Sequence, residues 1–194
     1  MRRISSRAAL ATLLRLVAIL CAISFGAFAG VEDAVVSLTG ARTRLVWVRD
    51  EGGVHAVYGF DTEDGRGVRR VVTDVRTYAK PIFTQDGSRV VFTRRSENAV
   101  YIVNWDGTGL RKLVSGFASD VWRDPATGVD WLYVRDDDGG GTNPLVRYRL
   151  DDPSVVETFW RQTPLGHEQV PWFRLSHDGT RAADAFPWPR CGVA

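Results

Sequence analysis

The sequence predicts an all-β chain assembled from four-stranded antiparallel sheets, and three observations carry that expectation. After residue 30 no long stretch keeps the 3.6-residue periodicity of a helix. In its place come short runs of β-branched and aromatic residues bounded by Gly, Asp, Asn and Pro. These runs repeat: Gly65 and Gly107 lie 42 residues apart, Gly87 and Gly128 lie 41 apart, and Gly128 and Gly179 lie 51 apart. Roughly 40–45 residues per four-strand unit is the spacing of a propeller blade. The expectation is therefore a partial β-propeller of four-stranded antiparallel blades, three blades plus the start of a fourth, behind an N-terminal signal peptide.

Taken in order, residues 1–29 read as that signal peptide. Arg2, Arg3 and Arg7 open it, an apolar run follows over 16–28, and Ala27-Phe28-Ala29 supplies the small-x-small cleavage pattern. The apolar run is 13 residues long, short of the roughly 20 that cross a bilayer. Cleavage leaves a mature chain of 30–194 that is exported, periplasmic or extracellular, with no membrane span. Residues 30–43 form a lead-in and 44–194 the propeller. The first blade shows strands at 44–49, 54–60 and 68–72, which correspond to the second, third and fourth strands of a unit. The second blade is complete, with strands at 79–84, 89–94, 100–105 and 110–114. Asp86-Gly87 and Asp106-Gly107 mark two of its turns, where Gly takes a positive φ without a Cβ clash and Asp caps the bend. Within this blade Val90 and Phe92 fall on one face, Val91 and Thr93 on the other. The third blade has strands at 118–123, 131–135, 145–150 and 155–160. A fourth opens with 172–176, turns at His177-Asp178-Gly179-Thr180 and continues over 181–186.

The second unit resembles a known family. Ile82-Phe83-Thr84-Gln85-Asp86-Gly87-Ser88-Arg89-Val90-Val91-Phe92-Thr93, followed by Val100-Tyr101-Ile102-Val103-Asn104-Trp105-Asp106-Gly107-Thr108-Gly109-Leu110-Arg111-Lys112-Leu113, is similar to one repeat of the TolB-like β-propellers of bacterial envelopes. Leu175-Ser176-His177-Asp178-Gly179-Thr180 repeats its first half, with His177 where the family has proline. The resemblance runs over roughly residues 44–186 and implies a propeller. A ring of such blades needs closure, so the chain is expected to be a piece of a longer propeller or to complete its ring by self-association.

Charge and cysteine content narrow the classes further. The formal net charge is +2, but the first 29 residues hold four arginines and no acid, and without them 21 basic residues face 23 acidic ones. A nucleic-acid partner is therefore not expected, since a basic footprint is its first requirement. Of the mature basic residues only Lys80 and Lys112 are lysine; the excess of arginine reads as compositional bias. Cys21 leaves with the leader and Cys191 remains alone, so an internal disulfide is not expected.

The residues able to carry chemistry are few. His55, His167 and His177 are the only histidines. His167-Glu168 and His177-Asp178 sit ten residues apart without tight ligand spacing, and read as solvated turn residues rather than a metal site. Asp136-Asp137-Asp138 precedes three glycines but lacks the alternating acids and distant Glu of an EF-hand, so it reads as a loop. Ser115-Gly116 and Ser119-Asp120 read as turn formers, and no Gly-x-Ser-x-Gly elbow occurs. No cofactor, metal or catalytic residue is assigned. Of the seven tryptophans, Trp47 and Trp131 occupy equivalent second-strand positions and are expected to pack between blades. Trp105, beside a turn, is expected to be partly exposed. Trp122, Trp160, Trp172 and Trp188 lie on or beside the remaining strands. The function these features point to is an exported, non-catalytic propeller module or scaffold that holds a protein or peptide partner on a ring face. The alternative is a part of a propeller-type hydrolase or lyase acting on peptide or polysaccharide.

Overall fold

The computed structural model describes residues 30, 32–135, 144–160 and 172–185. Thirteen strands form four antiparallel sheets among them. The first sheet has the order β1-β2-β3, from β1 (Arg44–Asp50), β2 (His55–Asp61) and β3 (Arg69–Arg70). The second is β4 (Tyr78–Phe83), β5 (Arg89–Arg94), β6 (Ala99–Asn104) and β7 (Arg111–Ser115), in chain order. The third is β8 (Phe117–Arg123), β9 (Asp130–Arg135), β10 (Leu145–Arg149) and β11 (Val156–Trp160), also in chain order. A two-stranded sheet pairs β12 (Trp172–Leu175) with β13 (Ala182–Ala185). Each complete sheet is thus an up-and-down meander, as the turn spacing requires, and no sheet closes on itself.

Strand ends fall within one residue of those read from the sequence, with one exception. The strand expected at 68–72 shrinks to Arg69–Arg70, although Val71 still donates its N–H to the Val57 carbonyl at 2.9 Å. The lead-in carries a short helix over 32–39, stopped where Gly40 takes φ 70° and returns its N–H to Val36 O at 2.7 Å.

The turns explain why the meander repeats. Asp86 accepts from the Thr84 hydroxyl at 2.6 Å and from the Ser88 N–H at 3.0 Å, while Thr84 Oγ1 accepts the Arg89 N–H at 3.1 Å. Ser176, Asp178, Thr180 and Arg181 repeat that network, with matching distances of 2.6, 3.1 and 3.0 Å. One side-chain triad therefore fixes the same hairpin in both places. The turn at 96–98 instead begins as a short 3-10 helix, Arg95–Glu97, and reverses at Asn98 with φ 44°.

Chain contacts group the residues into two units, 1–45 with 60–69, and 46–59 with 70–194. In the first, Asp61 has a side chain with no solvent exposure and receives Arg44 at 2.6 Å and Arg42 at 3.3 Å. Burial alone would raise its carboxyl, but the Glu63 N–H and the two guanidiniums hold it below the usual range. In the second unit the core lies in three layers. Val57, Val71, Val90, Phe92, Val103 and Trp105 fill one; Val91, Val100, Ile102, Val121, Leu132 and Val134 fill the next; Trp131, Tyr133 and Leu145, with Leu175 packed on them, fill the third. Alternate residues of one strand feed different layers: Val90 and Phe92 go one way and Val91 the other, and Leu132 and Val134 part from Trp131 and Tyr133 in the same manner. The strands β5 and β9 are covered on both faces, the arrangement stacked blades require.

Candidate functional site

The first strand of each meander borders its successor: β4 lies against β8, and β8 against β12. Two of these strands, β4 and β8, are irregular near their starts. Pro81 has no N–H to give the ladder, so β4 bulges between Ala79 and Ile82, and Lys80 takes φ 50°. In β8 the register shifts between Ala118 and Asp120. Beyond the irregularity in β8, Asp120 reaches β12.

Asp120 is the centre of that border. It is buried, and its carboxylate accepts Arg174 Nη1 at 2.5 Å, the Leu175 N–H at 3.0 Å and the Val121 N–H at 3.0 Å. One acid of the third sheet thereby grips both the backbone and a side chain of β12. Lys80 lies within electrostatic reach of Asp120, Arg174 and Arg135, and is pushed down to about 8, chiefly by burial and then by the like charges of Arg174 and Arg135. Arg135 closes the group from the end of β9, with its guanidinium 4.8 Å from the centre of the Phe117 ring. Two further contacts hold the same border: the Ala118 N–H donates to Thr93 Oγ1 at 2.9 Å, and Trp122 Nε1 donates to the His177 carbonyl at 3.1 Å.

A second polar cluster surrounds Arg94, which is 8% exposed. It pairs with Asp74 at 2.7 Å and Glu97 at 2.8 Å, and lies 4.1 Å over the Tyr101 ring. Burial disfavours its charge, yet Glu97 and Tyr78 raise its pKa overall. Its carboxylates are spent on the arginine, so this cluster ties the 3-10 turn to the sheet.

Several sequence expectations change at this level. Trp105 is not partly exposed: it is 8% exposed, because its ring lies over Gly59 and against Val71 and Phe83. Ser119-Asp120 is not a turn but the buried middle of β8; Gly116, at φ 102°, does make the turn into that strand. Trp131 packs between layers as expected, beneath the Arg147 guanidinium at 4.3 Å. Trp47 is only half-buried, stacked on Tyr58 with ring centres 6.2 Å apart. Arginine is more than bias here, since Arg123, Arg147 and Arg149 each bind a carboxylate at 2.6–2.8 Å. His55 opens β2 and His177 is an exposed turn residue, and no group of three or more potential metal ligands occurs among the described residues. His167, Asp136-Asp138, Cys21, Cys191 and Trp188 lie outside the described residues, and the side chains of Trp160 and Trp172 do as well. No described helix is long and apolar enough to cross a membrane.

No family model and no curated protein sequence matches the chain. Solved structures do. TolB from Acinetobacter baumannii superposes with a TM-score of 0.50 at 21% identity, over 73% of this chain and 34% of that one. The nidogen/laminin complex superposes with a TM-score of 0.54 at 10% identity, over 74% of this chain and 52% of that one. The fold is that of a partial, TolB-like β-propeller. The chain spans about a third of the length of the first neighbour and about half of the second, and identities this low establish fold alone.

Proposed function

We propose that this chain is an exported, non-catalytic propeller module that holds a protein or peptide partner where its first strands converge. The observation that carries the reading is the border of β4, β8 and β12, where Lys80, Asp120, Arg135 and Arg174 meet from three sheets. Polar groups gathered there on rigid strands suit recognition, because little conformational freedom remains to be lost on binding. Residues 1–29 support export, by their basic start, apolar run and small-x-small end. One of the fold neighbours is a complex of nidogen with laminin, which agrees with partner holding at the level of the fold.

The test has two arms. Residues 1–29 fused to a phosphatase that matures only outside the cytoplasm should give active enzyme; inactive, retained fusion overturns export. A photoreactive amino acid at position 174, crosslinked in the producing cells, should yield one discrete adduct that a probe on the exposed β7 position 112 does not. Identical patterns from both positions overturn the binding face.

A further inference from the structure

We propose that Asp64-Gly65, in the connection from β2 to β3, is a covalent modification site, where the chain closes a succinimide on its own backbone and reopens it as isoaspartate.

Asp-Gly pairs occur among the described residues at 64, 86, 106 and 178, and Asp138-Gly139 lies outside them. Glycine hinders this ring closure least, since no side chain shields its nitrogen. All four described pairs share the geometry of the electrophile. The aspartate Oδ1 accepts the N–H two residues on, from Arg66 at 2.9 Å, Ser88 at 3.0 Å, Thr108 at 2.9 Å and Thr180 at 3.1 Å. That bond folds the carboxyl back over the intervening glycine peptide.

The nucleophile differs. Gly87, Gly107 and Gly179 each give their N–H to a turn carbonyl, of Thr84 at 2.8 Å, Asn104 at 2.9 Å and Ser176 at 2.9 Å. Such a bond holds the proton that the nitrogen must lose and fixes the peptide plane. Gly65 is exposed, and its N–H has no hydrogen-bond acceptor among the described residues. Space separates the sites in the same sense. A Cβ on Gly107 would meet the Val71 carbonyl at 3.1 Å and one on Gly179 the Trp122 ring at 2.4 Å, whereas one on Gly65 meets nothing within 4 Å. The 64–65 peptide therefore has room to rotate as the ring closes. Asp86, Asp106 and Asp178 also accept a Ser or Thr hydroxyl, which steadies the carboxylate. Asp64 has no hydroxyl partner among the described residues, and Arg69 Nε stands 3.7 Å from it. Ring closure consumes the neutral acid, so an anion held by hydroxyls reacts more slowly.

The step balances with water alone. The Gly65 nitrogen bonds to Cγ of Asp64, and its proton leaves with the carboxyl OH as water. Water then adds to either imide carbonyl. Attack at Cγ restores aspartate. Attack at the α carbonyl routes the chain through the side chain, one backbone methylene longer between β2 and β3, and frees an α-carboxylate.

The experiment holds the full chain at neutral pH for several weeks, in buffer and in parallel in urea. Peptide mapping with electron-transfer fragmentation then tells isoaspartate from aspartate at each position. In buffer, conversion at 64 should run about tenfold faster than at 86, 106 or 178. In urea the four rates should come together, because each aspartate then has the same following glycine and no turn to hold it. Equal rates in buffer, no conversion at 64, or conversion led by 86, 106 or 178 overturns the assignment. The same spread of rates persisting in urea overturns it too, since the selectivity would then not come from the fold. No partner is needed, so this result is independent of the crosslinking test.

Discussion

At the scale of single residues, Gly59 and Trp105 depend on each other. A Cβ on Gly59 would lie 2.4 Å from one atom of the Trp105 ring and 2.8 Å from Val71, and a packed indole cannot step aside. Gly59→Ala should therefore destabilise by about 1–3 kcal/mol through overpacking alone. Gly128 is the opposite case, with φ 70° and open space around it, so Gly128→Ala should cost about 1 kcal/mol through backbone strain. Urea unfolding of the two variants separates the mechanisms, because Trp105→Leu should relieve the first loss and leave the second. Lys80 supplies a pH-dependent residue. Its amine titrates near 8 in the folded chain, below the ordinary lysine value of 10.5, so its charge opposes folding below pH 8. That penalty fades as the pH rises from 8 toward 10.5. Lys80→Met should gain about 1 kcal/mol at pH 7, well under the unscreened figure because the amine is partly solvated. Its advantage over wild type should shrink by pH 10, as read by urea midpoints at both pH values.

At the scale of elements, the hairpin turn and the strand bulge set the geometry. In the β4–β5 turn the Thr84 hydroxyl, then the Ser88 N–H and hydroxyl, hold the Asp86 carboxyl down to about 2, against 3.8 for an ordinary aspartate. The folded value lies below the unfolded one, so this stabilisation is full above pH 4 and disappears as the pH falls toward 2. Asp86→Asn should flatten the acid limb of the stability curve in that window, and Thr84→Val should move it the same way. The Asp120 clasp acts between elements. Asp120→Ala removes the acceptor of both Arg174 and the Leu175 N–H. The expected loss is about 1–3 kcal/mol, discounted because Arg174 is half-exposed. Hydrogen exchange should locate it: amides of β12 and β13 should speed up by about tenfold or more, while those of β5 and β6 keep their protection.

At the scale of the whole molecule, stability comes from layers between successive sheets rather than from one central core. Val90, Val91, Phe92, Val100, Val103, Leu132 and Val134 are at most 1% exposed, and they lie on β5, β6 and β9, which have a paired strand on both sides. The outer strands β7 and β11 carry exposed residues, Phe159 at 41% among them. In such stacks each sheet depends on its neighbours. Native-state exchange should therefore rank β5, β6 and β9 slowest and β7, β11 and the β12–β13 hairpin fastest. Uniform exchange across all sheets would argue for a single cooperative core instead.

The sequence alone determined the meanders. Turn glycines at 41- and 42-residue spacing dictate short antiparallel hairpins, because turn chemistry acts over four or five residues and needs no distant partner. Strand positions and the alternation of Val90 and Phe92 against Val91 followed from the same local rules. The environment of each face did not. Trp105 beside its turn has the sequence context of a partly solvated ring, and only the approach of Gly59 from the first sheet buries it. Asp120 has the composition of a turn residue, and only the arrival of β12, more than fifty residues later, makes it a clasp. Lys80 was one of two lysines among many arginines, inside a strand read as regular, and its charged neighbours come from strands that no local pattern connects to it. Burial and charge proximity are properties of the packed sheets, and it was the tertiary structure that decided them.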